Sequence, residues 1–140
     1  MRVIVCGTRD WEDQLAVSLA LGEELIKSRA ATIRSGSPPL TVRHGACYPS
    51  KDKDGNRPLR SADWLAELWC LDCAIKSEPM PADWNKYGCS AGPRRNAEMA
   101  KAGADLCIAF WDGNSKGTAD MIRRAVQCGI EVRIVPKARV

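Results

Sequence analysis

No apolar stretch of this chain approaches the roughly 20 residues a helix needs to cross a bilayer. The N-terminus enters a strand pattern directly, without the charged start and apolar core of a secretory signal. There is no internal repeat, low-complexity tract or interdomain linker in the 140 residues. Nor is there a run of basic residues that would read as a DNA-binding arm. Seven cysteines are an odd count, which argues against a disulfide framework in a chain with no secretion signal. The expectation is one cytoplasmic domain over residues 1–140, large enough to bury a core and with no membrane partner.

What is present is ordinary for a globular protein, with 45% apolar and 27% charged residues. Lys and Arg total 21 against 17 Asp and Glu, so the net charge is +4. That mild excess suits a small anion better than a nucleic acid, which would draw on a denser basic surface. One constellation has ligand-like spacing for zinc: His44-x-x-Cys47 followed by Cys70-x-x-Cys73. Cys70 and Cys73, however, fall within the helical pattern around Trp64–Trp69, and 22 residues separate the pairs. Core and loop thiols are the simpler reading, so no metal and no cofactor is expected, with zinc at these four residues left open.

Strand and helix patterns alternate along the chain. Arg2–Cys6 is a continuous apolar strand, as expected when both sheet faces are covered. A helix follows from about Asp13 to Arg29, with Leu15, Leu19, Gly22 and Ile26 on one stripe. Leu40–Arg43 is a second strand. The polar, turn-rich stretch around 49–60 reads as an exposed insertion. Ser61 is a helix cap for a segment through Cys73 with Leu65, Leu68 and Trp69 inward. A weak strand lies near Lys76–Glu78. Pro93 opens a helix that Gly103 ends. Leu106–Phe110 is a buried strand, Thr118–Cys128 a helix, and Glu131–Val135 the last strand. The fold class is therefore α/β: a Rossmann-like three-layer α/β/α arrangement around a mostly parallel sheet of about five strands.

In such sheets ligands bind beyond the carboxyl ends of the strands. The polar and glycine-bearing segments of this chain follow its strands: Gly7-Thr8-Arg9, His44-Gly45, the Pro81–Trp84 segment, and Asp112-Gly113 running on to Ser115-Lys116-Gly117-Thr118. The last of these joins a strand to a helix start, where unpartnered amides and the helix dipole favour an anion. Arg94 and Arg95 stand in the first turns of the preceding helix. Trp84 offers a ring for a base. Together these form the candidate binding set, and they suit a nucleotide with its phosphate on the Gly113–Thr118 loop.

The same residues carry a family resemblance. Met1–Trp11, His44–Cys47, Pro81–Trp84, Ala91–Met99 and Asp112–Thr118 resemble the DUF2493 group, the YspA-related branch of the SLOG superfamily. The resemblance covers nearly the whole chain apart from about 49–60. It implies a Rossmann-like fold, a nucleotide or nucleotide-derived ligand, and a homodimer. The more distant LOG enzymes of that superfamily cleave the N-glycosidic bond of nucleoside monophosphates, using an Arg-Lys-x-x-Met motif and a Pro-Gly-Gly-x-Gly-Thr-x-x-Glu loop. Arg95–Met99 is similar to the first, with Asn96 in place of lysine. Lys116–Met121 is similar to the second, with Met121 in place of glutamate. An oxocarbenium-like ribose needs a carboxylate, which methionine cannot supply. Glu98, Asp112 and Asp120 are the remaining catalytic candidates, with Asp120 about 100° away from Met121 on the helix. Binding of a nucleotide derivative, as a sensor or sequestering protein, is thus the first expectation. N-glycosidic hydrolysis of a nucleotide or ADP-ribose-like compound is the alternative.

Overall fold

The described residues, 1–138 of a computed structural model, form five strands and five α-helices. In chain order these are β1 (Arg2–Gly7), α1 (Gln14–Ser35), β2 (Thr41–His44), α2 (Ala62–Cys73), β3 (Lys76–Pro79), α3 (Trp84–Tyr87), α4 (Ala91–Lys101), β4 (Leu106–Trp111), α5 (Lys116–Gln127) and β5 (Glu131–Pro136). The strands make one sheet in the order β3-β2-β1-β4-β5, with every neighbouring pair parallel. The fold is the expected three-layer, Rossmann-like α/β arrangement, and its sheet is parallel throughout.

Alternation along the central strands supplies both cores. Val3 and Val5 of β1, with Ile108 and Phe110 of β4, face α1 and α2. Ile4, Cys6, Cys107 and Ala109 face α4 and α5. These strands are buried on both sides, which is why they read as unbroken apolar runs. β3, at the edge, is short and polar, and it was visible in the sequence only as a weak strand.

The apolar stripe read along α1 is not the face the helix buries. Val17, Ala20, Leu21, Glu24 and Ser28 are buried, whereas Leu15, Leu19 and Ile26 face away from the sheet. Both sides of this helix carry apolar residues, so periodicity alone cannot choose between them. The sheet takes the side on which Ala20 and Ser28 allow close approach. Glu24 is accommodated there by ion pairs to Lys27 and Arg133, each at 3.3 Å. The helix also runs past Arg29 to Ser35 and ends at Gly36, whose left-handed backbone closes it.

Residues 50–56 of the insertion are exposed. Their turn is held by its own bonds, with Asp52 Oδ1 accepting from the Asp54 and Asn56 amides at 2.9 Å. Arg57 fastens the insertion to the body by lying over Tyr48 and Trp64, 5.3 and 5.5 Å from their ring centres.

Candidate functional site

The strand order reverses between β1 and β4, and a crevice opens at such a switch point beyond the strand ends. Here it is a cleft of about 640 Å³. Gly7, Thr8 and Arg9 enter it from β1, and Gly45 and Cys47 from the segment after β2. α4 brings Gly92, Arg95 and Asn96. The loop and helix after β4 supply Asp112, Ser115, Lys116, Gly117, Thr118 and Asp120. Trp84, at the start of α3, forms the far rim and is 47% exposed. A second hollow of about 510 Å³ continues from it beneath the insertion, sharing Arg9, Gly45 and Trp84.

The wall of the cleft that follows β4 is built by local hydrogen bonds. Asp112 Oδ1 accepts from the Asn114 amide at 2.8 Å and the Ser115 amide at 2.9 Å. Those two bonds hold the Asp112 carboxyl below its ordinary range. Ser115 caps α5 by accepting from the Thr118 amide, and it also receives the Thr118 hydroxyl at 3.0 Å. Trp111 Nε1 donates to the Ser115 carbonyl at 3.0 Å, and the Asp112 amide donates to Thr8 Oγ1 at 3.2 Å. The Lys116 and Gly117 amides keep no acceptor among the described residues. Two donors with the helix dipole behind them therefore point at the cleft. Arg9 and Lys116 are exposed, and their side chains form no ion pair or hydrogen bond among the described residues.

Close approach decides two glycines. A Cβ on Gly7 would lie 2.5 Å from Ala62 Cβ and 2.6 Å from the Phe110 carbonyl oxygen. A Cβ on Gly45 would run into the Arg95 guanidinium. Arg95 itself is a strap. Its Nη1 donates to the carbonyls of Gly45 and Met80, and its Nε donates to Asn96 Oδ1 at 2.9 Å. The neighbouring Asn96 spans α4 and α5, donating from Nδ2 to Asp120 Oδ2 at 3.0 Å and to the Gly117 carbonyl at 3.3 Å.

The expected residues thus divide. Gly7, Thr8, Arg9, Gly45, Trp84, Arg95, Asp112, Ser115, Lys116, Gly117, Thr118 and Asp120 line the cleft. His44 does not. It is fully buried, with Nδ1 accepting from the Ala46 amide and Nε2 3.1 Å from Glu67 Oε1. Arg94 is exposed outside the cleft, stacked 4.4 Å from the Tyr87 ring centre. Glu98 is exposed and lies off the cleft wall, and Gly113 sits at the turn beside it. Among the described residues no three His, Cys, Asp or Glu side chains converge as metal ligands. Burial pushes the Cys70 thiol up to about 12.

Asp63 was missed by sequence reasoning. It lies in the first turn of α2, 6% exposed, and lines the cleft. Burial pushes its carboxyl above the ordinary value, opposed by His44, by the Cys47 amide at 3.0 Å and by Arg95. In the sequence an acid two residues after the Ser61 cap reads as an ordinary first-turn carboxylate, so no local signal marked it. Asp120 shows the opposite balance. Burial opposes its charge, but hydrogen bonds from Asn96, Arg124 and Arg123 outweigh that and hold the carboxyl below its usual range.

A third hollow, about 670 Å³, lies at the other end of the sheet beside Arg2 and Lys27. Both cations there are already paired, Arg2 with Glu78 at 2.7 Å and Lys27 with Glu24 at 3.3 Å. Unpaired positive charge is found at the switch-point cleft instead.

Fold and cleft together define the class: a parallel, Rossmann-like α/β protein with an open polar crevice at its switch point. No protein-family model matches the chain. It belongs to the family of the Gene 61 protein of Mycobacterium phage D29, with which it is 35% identical over 136 residues, spanning 94% of this chain and 93% of that protein. Among the described residues no helix is long and apolar enough to cross a membrane.

Proposed function

We propose that this protein binds a nucleotide or nucleotide derivative in the switch-point cleft, as a SLOG-type sensor or sequestering protein. The observation that carries the reading is the convergence of four unpaired donors on one crevice: the Lys116 and Gly117 amides and the Arg9 and Lys116 side chains. Such a group recognises phosphate by fixed amides at a helix start, reinforced by charge. Trp84 supplies an exposed aromatic face across the cleft for a base.

Hydrolysis of an N-glycosidic bond is the second reading, and Asp63 favours it. A carboxyl whose protonated form burial favours is suited to hand a proton to a departing base. Of the three catalytic candidates read from the sequence, Glu98 lies off the cleft, and Asp112 and Asp120 are occupied by two and three donors.

The deciding experiment incubates the protein with nucleoside monophosphates, NAD, ADP-ribose and cyclic nucleotides, then identifies bound and released molecules by mass spectrometry. An intact retained compound supports binding and names the ligand. Free base with ribose phosphate establishes the hydrolase. A chain that retains and cleaves none of them rejects the nucleotide reading.

A further inference from the structure

The switch-point cleft does not end at Trp84. The hollow of about 510 Å³ beneath the insertion opens from it, and Arg9, Asp10 and Trp84 line both. The cleft alone, at about 640 Å³, has room for a mononucleotide, since sites for small ligands begin at roughly 300 Å³. The hollow is therefore additional space. Pro49, Ser50 and Arg60 belong to its wall, so the 49–60 insertion, which lies outside the family resemblance, builds this part of the site.

That wall is fixed in advance. Ala46 and Ser61 both line it with positive φ, +54° and +79°, which non-glycine residues hold only under tertiary constraint. Hydrogen bonds supply the constraint: the Ala46 amide donates to His44 Nδ1, and the Ser61 hydroxyl donates to the Cys47 carbonyl. Arg57 Nη1, donating to the Pro49 carbonyl at 2.6 Å, holds the insertion against them. Arg60 stands free. It is exposed, and its side chain makes no hydrogen bond or ion pair among the described residues.

Charge along this trough falls in an order. The Lys116 and Gly117 amides and the Lys116 side chain stand at the cleft end, and Arg60 stands at the other. Arg9, Asp10 and Trp84 lie at the junction. We propose, resting on the nucleotide reading above, that the hollow is a second phosphate site. The ligand is then a nucleoside bisphosphate, with one phosphate on the 5′ oxygen and one on the 3′ oxygen. The α5 loop takes one phosphate, and the Arg60 guanidinium, reinforced by Arg9, takes the other. Between them the Asp10 carboxylate accepts from a sugar hydroxyl, and Trp84 offers its ring to the base.

Calorimetric titration of the full chain with 5′-monophosphates and 3′,5′-bisphosphates of the four common ribonucleosides tests it. A bisphosphate should bind about tenfold more tightly than its monophosphate, the order of one charge-assisted hydrogen bond. In Arg60→Ala that ratio should fall to about one. In Lys116→Ala both forms should weaken while the ratio stays. Equal affinity of the two forms overturns this inference and leaves the nucleotide reading standing. A chain that binds no bisphosphate overturns it even where another nucleotide is retained, and a chain that binds no nucleotide at all rejects both readings. A ratio that survives Arg60→Ala overturns the inference as well. So does an equal gain for ADP-ribose, which extends the ligand without adding a terminal phosphate. An affinity that rises with each nucleotide of an oligoribonucleotide and falls steeply with salt would overturn it too, assigning the trough to nucleic acid.

Discussion

The Arg95 guanidinium occupies the space that a side chain on residue 45 would need, and it donates to the Gly45 carbonyl from that position. The end of β2, the Met80 segment and α4 are thereby tied at one point, 50 residues of chain apart at the longest. Gly45→Ala must displace the guanidinium and its hydrogen bonds. A loss of about 1–3 kcal/mol is expected, as for an overpacked core site. In an Arg95→Ala background the same change should cost much less. Urea unfolding of the four proteins in this double-mutant cycle reads the coupling, and additive losses would contradict the contact.

Asp63 makes a pH-dependent prediction. Its folded-state carboxyl is raised, chiefly by burial. The stability it contributes is therefore complete below the unfolded value near 4 and is lost as pH rises through the raised one. Asp63→Asn keeps an acceptor for the Cys47 amide but does not ionise. Relative to wild type, the variant should gain stability as pH climbs above about 4 and show no gain below it. Urea midpoints across the range measure it, and a difference independent of pH would refute the assignment. The lowered carboxyls of Asp112 and Asp120 act in the opposite sense, but they are common to both proteins and cancel.

Cleft charge and cleft architecture should separate. Arg9→Ala and Lys116→Ala remove exposed cations, so each should weaken binding of a nucleoside monophosphate by about tenfold, the order of one charge-assisted hydrogen bond. Melting temperature should not move. Ser115→Ala removes the cap that receives the Thr118 amide and hydroxyl, so it should cost about 1 kcal/mol of stability besides any affinity. Calorimetric titration alongside thermal melts distinguishes the two groups.

Trp84 is the tryptophan that lines the cleft, at 47% exposed, whereas Trp11 is buried against Phe110 with ring centres 5.5 Å apart. Nucleotide binding should quench tryptophan emission, and Trp84→Phe should abolish most of that change. Quenching that survives the substitution would move the base elsewhere.

Much of this molecule was legible in its sequence because burial on both faces writes itself as an apolar run. Val3–Cys6 and Leu106–Phe110 are of that kind. Ser61 and Gly103 also marked the helix ends they govern. The glycine-bearing loop after β4 announced the cleft. The outward turn of α1 was not legible, since two apolar stripes compete and only the sheet decides between them. The occupations of Arg95 and His44 were hidden for a different reason. Arg95 binds Gly45 50 residues earlier, and His44 meets Glu67 23 residues later. Neither pairing leaves a local pattern in the chain. Arg95 and Thr118 both line the cleft as expected, and in the fold their hydrogen bonds also hold it together.

The strand order also shapes how the protein must come into being. β1 lies at the centre of the sheet, yet its neighbour β4 begins at Leu106, so Val3 and its partner are about 100 residues apart along the chain. On the ribosome the central strand emerges first and waits with one edge bare, for about 5–20 s at ordinary rates of synthesis. Closing so long a loop makes the β1–β4 pairing slow. Nascent chains halted before Leu106 should accordingly be protease-sensitive and in need of a chaperone, and chains released after β5 should fold as a unit.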